Sequence, residues 1–245
     1  MPPSAWRAAL LCAALTLPAA ARATGALMPA GPVAIPRDLV SPDEPADRGF
    51  RVFALGGIGD TREDLSELPI RLTAGGLELG FVKRLSDNLF VSLALGGQAF
   101  GSVDPDPDPD TARPRALGAG PFAQAAATWR VVEGFDEEPF VTATFGMSLL
   151  RGRSSEGGRL DVTDLSLGVA VGRAFDERWA PYVAAKVFAG PSSWRWEDKR
   201  LHGHDANRWS ASLGVVATLT KTLDLQVELA PVGARGLTTT VGWTF

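Results

Sequence analysis

The most constraining feature of this 245-residue chain is its last nine residues, 237–245, which alternate between two kinds of side chain. Successive side chains of a β-strand point to opposite faces, so Val241, Trp243 and Phe245 share an apolar face and the residues between them are small. Chain ends usually fray, and an ending inside an amphipathic strand indicates a strand that is held in place. A closed barrel, whose last strand pairs with its first, predicts such an ending.

The first 23 residues have the pattern of a cleaved signal peptide. An apolar stretch ends in Ala21-Arg22-Ala23, which fits the small-x-small cleavage site. We therefore expect the mature chain to begin at Thr24 and to lack Cys12, the single cysteine. The exported protein is then held together without disulfides. Residues 24–47 contain five prolines and no sustained period, which predicts a flexible periplasmic lead-in to a domain over 48–245.

The charge balance excludes some functions. Removing the signal peptide takes away two arginines and leaves 22 basic and 28 acidic residues, a net charge of −6. This acidic balance argues against nucleic acid as a partner. No mature stretch approaches 18 uncharged apolar residues, so no transmembrane helix is predicted.

Ten strand-like segments lie between turn signals in the domain. The clearest is 223–229, where the leucines and Val227 face one way and Asp224, Gln226 and Glu228 face the other. The segments are roughly ten residues long, which is the length that a tilted strand needs to cross a bilayer. The apolar face of 49–59 stays undecided. The other segments are 77–81, 89–100, 117–131, 141–149, 165–171, 181–189, 209–219 and 237–245.

The connections between these segments alternate in length. Short turns at 86–88, 133–138, 176–178 and 221–222 alternate with predicted long loops at 60–69, 102–115, 152–159 and 192–207, although a fifth connection, 233–236, is short. Transmembrane barrels divide their periplasmic and extracellular sides in this way. Outward aromatic residues also fall at the predicted periplasmic ends of their strands and predict an interfacial girdle, formed by Phe81, Trp129, Trp179, Trp243 and Phe245.

Over 49–245 these patterns resemble the small outer-membrane β-barrels of Gram-negative bacteria, of the eight-to-ten-stranded type. The resemblance implies an all-β, closed, antiparallel, up-and-down transmembrane barrel with ten strands, or alternatively eight. It also implies a monomer in the outer membrane, surrounded by lipid and lipopolysaccharide, with both mature termini in the periplasm. In that class the terminal aromatic residue, here Phe245, belongs to the signal that the barrel-assembly machinery reads.

Charged residues on the inward faces predict a network inside the barrel. An unpaired buried charge is very costly, so mixed signs in a narrow lumen indicate pairs that plug it. A narrow diffusion channel is the alternative. The predicted network consists of Glu78, Arg84, Arg130, Lys186, Asp224 and Glu228.

Catalytic and metal motifs are weak. His202, His204 and Asp205 are candidate metal ligands in a predicted loop. Asp104-Pro105-Asp106 has the spacing of one acidic pair of the omptin outer-membrane proteases, but their Asp-x-His pair is missing, since His204 directly precedes Asp205. We expect no cofactor and a non-enzymatic structural, adhesion or surface ligand-binding role, with a rim-site hydrolase as the remaining alternative.

Overall fold

The computed structural model describes residues 50–65, 68–105, 115–132, 138–154, 157–175, 178–196, 199–206 and 208–245. The predicted signal peptide and lead-in lie outside this part, as does the acidic run from Asp106 to Asp110. No helix among the described residues has the length and apolar character of a membrane span. The described part forms thirteen strands: β1 (Phe50–Leu65), β2 (Leu68–Ser86), β3 (Leu89–Pro105), β4 (Arg115–Gly118), β5 (Gly120–Val132), β6 (Phe140–Ser154), β7 (Arg159–Gly172), β8 (Trp179–Ala189), β9 (Pro191–Trp196), β10 (Lys199–Asp205), β11 (Trp209–Thr218), β12 (Leu223–Gly233) and β13 (Arg235–Thr244).

Ten of these strands form a closed antiparallel ring, which we call the body. The ring runs β1–β2–β3–β5–β6–β7–β8–β11–β12–β13 and returns to β1. In the closing pair, Trp243 of β13 lies opposite Val52 of β1, and Val241 lies opposite Ala54. The predicted closed ten-stranded barrel is therefore confirmed. Closure leaves no free sheet edge, which a structure surrounded by lipid requires.

A second ring of eight strand segments extends the body at one end of the barrel, and we call it the neck. It runs β1–β2–β3–β4–β6–β7–β9–β10 and closes on β1. The hairpin of β12 and β13 is too short to reach this level. Strand β10 therefore pairs directly with β1 beyond the hairpin, with Asp205 opposite Glu63. The short connection 233–236, which departed from the alternation of short turns and long loops, is the turn of this hairpin.

The neck corrects the predicted loops at 60–69, 102–115, 152–159 and 192–207, whose described parts are largely strand. The alternation continues into the neck, but its polarity inverts there. Exposed charges such as Arg62 and Asp64 face outward, while large apolar side chains fill the interior. A strand whose outward residues are polar lacks the pattern of a lipid-facing strand, so its sequence is read as a loop. The buried interior residues of the neck include Leu65, Ile70, Leu72, Leu160 and Trp194.

Eight strand paths lead from the body into the neck, and we call them arms. Three of these arms are interrupted where body and neck meet. The break between β4 and β5 is at Ala119, that between β8 and β9 is at Gly190, and that between β10 and β11 follows Asp205. At the first two breaks the backbone passes very close to a neighbouring strand. A side chain on Gly190 would overlap the carbonyl oxygen of Thr163, and one on Gly120 would overlap that of Arg151. Glycine is required at both positions for this reason.

The outward face of the body is an apolar belt. Leu77, Leu79 and Leu95 are each at least 70% exposed, which is unusual for large apolar side chains unless another apolar phase covers them. The belt ends where the first outward charges appear, at Asp60 on β1 and Arg151 on β6.

The short-turn end of the belt carries aromatic residues. Trp129, Trp179, Trp243 and Phe245 are exposed there, and Phe81 is partly exposed. Phe50 stacks on Phe81 with ring centroids 5.7 Å apart, and Phe245 lies 6.2 Å from Trp243. These contacts cluster aromatic rings around the seam between β13, β1 and β2.

Candidate functional site

The interior of the body is packed with apolar side chains. Leu55, Phe90, Phe140 and Val216 are at most 2% exposed although they point into the barrel. The sequence suggested an inner face of small and charged residues, so this filling was not anticipated. Phe53 and Leu55 also settle the undecided face of the first strand, because they point inward while Val52 points outward. The barrel interior is therefore a solid core with polar groups embedded in it.

Arg51 and Asp224 form a buried ion pair inside the body. Arg51 Nε donates to Asp224 Oδ2 at 3.0 Å, and Arg51 Nη2 donates to the second carboxylate oxygen. The two residues sit on β1 and β12, which are separated in the ring by β13. The guanidinium reaches across β13 over Gly242, where any side chain would overlap it. The pair thus fastens the seam at which the barrel closes. Sequence reasoning missed Arg51 because the face of β1 was undecided.

A second polar cluster joins β8 and β12. The Tyr182 hydroxyl donates to Glu228 Oε2 at 2.6 Å, and Gln226 Nε2 donates to the Tyr182 oxygen at 2.7 Å. Lys186 is buried two inward positions further along β8, where the carboxylates of Glu228 and Asp164 act on it. These hydrogen bonds link Tyr182, Glu228 and Gln226 to one another inside the barrel.

The remaining residues of the predicted network separate into two groups. Glu78 accepts a hydrogen bond of 2.6 Å from Gln124 and is buried, and the Arg130 guanidinium lies 5.5 Å from the ring centre of Phe90. Arg84 instead lies near the end of β2, where it pairs with the exposed Asp87 at 3.0 Å in the turn to β3. The structure therefore places Arg84 in a turn contact, because the strand ends before its guanidinium reaches the interior carboxylates.

The neck holds an acidic pair in its interior. Glu63 is 0% exposed and lies opposite Asp205 in the pairing of β1 with β10. The Thr61 hydroxyl donates to Asp205 Oδ2 at 2.7 Å. Burial, with the neighbouring Asp205 carboxylate adding to it, raises the pKa of Glu63 to about 8. Glu63 is therefore protonated at neutral pH.

The candidate metal ligands do not converge. His202 and His204 are exposed on the outward face of β10, whereas Asp205 is buried on the inward face. Within the described segments, no group of three or more His, Cys, Asp or Glu side chains is placed to hold a metal ion. Alternation along a strand causes this separation, which a loop would not have imposed.

Arginine dominates the outward face of the neck. Arg151 Nε and Arg159 Nε lie 2.7 Å and 2.8 Å from the carboxylate oxygens of Asp161. Partial burial acts to raise the pKa of Asp161, but the hydrogen bonds and charges of these two arginines outweigh it and hold the pKa below its ordinary value. Asp161 is therefore a carboxylate shared by two cations.

Comparison with known proteins finds structural likeness at low sequence identity. No protein-family profile matches the chain, and no curated protein matches it significantly. Similar solved structures include the outer-membrane protease OmpT from Escherichia coli, with 10% identity, 84% of this chain and 100% of that chain covered, and a TM-score of 0.47. They also include the outer-membrane protein OprG from Pseudomonas aeruginosa (10% identity, 80% and 96% covered, TM-score 0.41). A third is Ail, the attachment invasion locus protein of Yersinia pestis (11% identity, 81% and 99% covered, TM-score 0.33).

These solved structures are outer-membrane β-barrels of Gram-negative bacteria, and the likeness concerns architecture alone. For this chain, the hydrogen-bonded ring and the apolar belt carry the conclusion that it is a transmembrane β-barrel. Both features satisfy what a bilayer demands: every backbone group paired and an apolar surface toward the lipid.

Proposed function

We propose that the protein is a non-conducting, non-enzymatic outer-membrane barrel with a structural role in the envelope, presenting its neck at the cell surface. The observation that carries this proposal is the filled interior. Large apolar side chains, Phe90 and Phe140 among them, are buried inside the body, and the polar groups between them include the Arg51–Asp224 ion pair and the Tyr182–Glu228 hydrogen bond. A channel needs a continuous polar, hydrated path, and this core supplies none along the described strands.

The neck supports the same proposal. Eight strands enclose an interior only wide enough for side chains to fill. Leu65, Leu72 and Leu160 fill it here and are each at most 1% exposed. A solute crossing the barrel would have to displace packed side chains at two successive levels.

The lengths of the connections support a proposed orientation of the barrel. Short turns are typical of the periplasmic side, and longer connections are typical of the extracellular side. We therefore place the neck outside the cell and the end with Phe50 and Phe245 at the periplasmic interface.

Single-channel recording tests the proposal against a diffusion channel. The full chain is reconstituted into planar bilayers beside an open porin prepared by the same protocol. We expect the porin to give regular conductance steps and this protein to give a silent bilayer, with insertion verified by protease protection. Steady conductance from the wild-type protein would refute the packed-core proposal.

A variant with a weakened core sharpens this test. Phe90→Ala with Phe140→Ala removes two buried rings. We expect this double variant to show occasional current bursts, or to have a lower free energy of unfolding than the wild type. The matched control, Leu79→Ala with Leu95→Ala, truncates two residues of the outward belt and should stay silent.

A further inference from the structure

Four arginines form a cross-strand row on the outward face of the neck. Arg153 lies opposite Arg159, Arg159 opposite Arg195, and Arg195 opposite Arg200. We call these four residues the arginine row. They lie on the neighbouring strands β6, β7, β9 and β10, so adjacent members are about 5 Å apart at the backbone and the row spans about 15 Å.

The arginine row lies beyond the membrane, in the aqueous space. Arg159 lies six positions beyond Leu165, the last apolar outward residue of β7. Six residues advance about 20 Å along a strand, or about 15 Å along the membrane normal at the usual tilt. Even Arg153, the lowest member, lies four positions beyond Leu149, which is about 10 Å along the normal. The headgroup layer extends only about 5–8 Å beyond the hydrocarbon, so the row faces water.

The described carboxylates leave most of the charge in the row uncompensated. Arg159 shares Asp161 with a second arginine below the row. Arg153, Arg195 and Arg200 are exposed and have no carboxylate partner among the residues that the structure describes. Like charges directly opposite each other destabilise a sheet. A ligand with several anionic groups removes this repulsion, because each group lies between two neighbouring arginines.

The shape of the row favours a long ligand over a small anion. The row is straight and lies on an exposed strand face, so a single sulfate or phosphate ion reaches at most two of its members. A polymer with an anionic group on each successive unit contacts all four members at once. Contacts that are linked in one ligand strengthen one another, because each raises the effective concentration of the next.

The chemistry of the row and its surroundings favours sulfate groups carried on sugars. All four cations are arginines, whose weakly hydrated guanidinium donates paired hydrogen bonds to two oxygens of one oxyanion. One outward position below the row, Ser193 and His202 lie opposite each other and can hydrogen bond to sugar hydroxyls. Single-stranded nucleic acid fits less well, since it needs aromatic side chains on which bases stack. The described outward positions of these four strands in the neck hold no Phe, Tyr or Trp.

We propose that the arginine row binds a sulfated polysaccharide outside the cell, with the sulfates of successive sugars seated between neighbouring arginines. Such binding attaches the cell to surfaces that carry this polymer. The proposal rests on the outward orientation of the neck given under the proposed function, and it is independent of whether the lumen conducts.

Binding by the purified full-length barrel in neutral detergent tests the proposal. The probe is a heparin oligosaccharide of uniform length, titrated into wild type and into Arg195→Gln/Arg200→Gln. Since a hydrogen bond to a charged group corresponds to about a tenfold change in affinity or more, the variant should bind at least about tenfold more weakly. The matched control, Arg208→Gln/Arg235→Gln, removes two exposed arginines outside the row and should bind as the wild type does. Equal weakening in the control would reduce the row to nonspecific charge and overturn the proposal.

Two further ligands identify the group that is recognised. The same oligosaccharide without its sulfates keeps its carboxylates and should bind wild type far more weakly, whereas equal binding would show that sulfate is not recognised. Single-stranded DNA of equal total charge should also bind more weakly than the sulfated oligosaccharide. Tighter binding of the DNA would replace the polysaccharide by a nucleic acid and refute the assignment.

Stability without ligand gives an independent readout. Removing two members of a repelling row should leave Arg195→Gln/Arg200→Gln at least as resistant to denaturant as the wild type. The sequence also has Glu156, Glu197 and Asp198 in the connecting turns, outside the described residues. If these carboxylates neutralise the row, the variant will be less stable than wild type, and the proposal fails.

Binding to intact cells tests the outward orientation separately. Fluorescent heparin oligosaccharide should label intact cells that carry the wild-type barrel and should label cells with Arg195→Gln/Arg200→Gln much less. Labelling that requires permeabilisation of the outer membrane, together with normal binding by the purified barrel, would overturn the orientation and with it the location of the ligand outside the cell.

Discussion

The Arg51–Asp224 pair should be among the most sensitive points of the barrel. Arg51→Met keeps an unbranched stem over Gly242 and removes the charge. Asp224 is 0% exposed and takes hydrogen bonds from Arg51 on both carboxylate oxygens, so the variant leaves both oxygens buried without that donor. Breaking one side of such a pair costs about 3–5 kcal/mol. The Arg51 guanidinium also lies 5.9 Å from the ring centre of Phe53, a contact that the variant loses as well.

The double variant Arg51→Met/Asp224→Asn separates the charge from the packing. It removes the orphaned carboxylate, so we expect it to recover most of the stability that Arg51→Met loses. The assay is reversible urea unfolding in lipid vesicles, followed by tryptophan fluorescence. A loss below about 1 kcal/mol in Arg51→Met, or a double variant as unstable as the single one, would show that water or another donor replaces the guanidinium and would refute the reasoning.

Three other perturbations follow from the structure. Gly242→Ala should displace the Arg51 guanidinium and lower the free energy of unfolding by roughly 1–3 kcal/mol, an effect that should shrink in the Arg51→Met background. Glu63 binds a proton in the folded barrel that the unfolded chain releases, so wild-type stability should fall as pH rises from about 4.5 to about 8. Glu63→Gln should flatten that dependence, and the same slope in both proteins would contradict the pKa. Val227→Arg on the lipid face should cost about 2–4 kcal/mol in vesicles, and a neutral result there would place Val227 away from the bilayer core.

The body could be predicted because lipid imposes a uniform rule on every strand that it touches. Outward residues must be apolar, so 223–229 revealed its faces from sequence alone. The neck could not be predicted in the same way, since water replaces lipid beyond Asp60. Leu65 and Ile70 then turn inward like the core of a soluble sheet, while charges face outward. A search for strands with apolar residues on the outward face therefore finds nothing beyond the membrane surface.

The inward direction of Asp224 and Glu228 could be predicted from alternation, but the identity of their partners could not. Arg51 lies 173 positions from Asp224 along the chain, and only the closure of the ring brings them together. Tyr182 also lies on an inward face, that of β8. Its inward position is explained by the Glu228 carboxylate, which accepts a hydrogen bond from the Tyr182 hydroxyl.

The two stacked rings also give the molecule an uneven mechanical frame. Strands β1, β2, β3, β6 and β7 run without a break from body to neck, whereas the other three arms are broken where the rings meet. Bending stretches an unbroken ladder of hydrogen bonds more than it stretches a joint. The neck should therefore lean preferentially toward the side of β8 to β11, and a force on the neck would be absorbed at those joints before it reached the packed body.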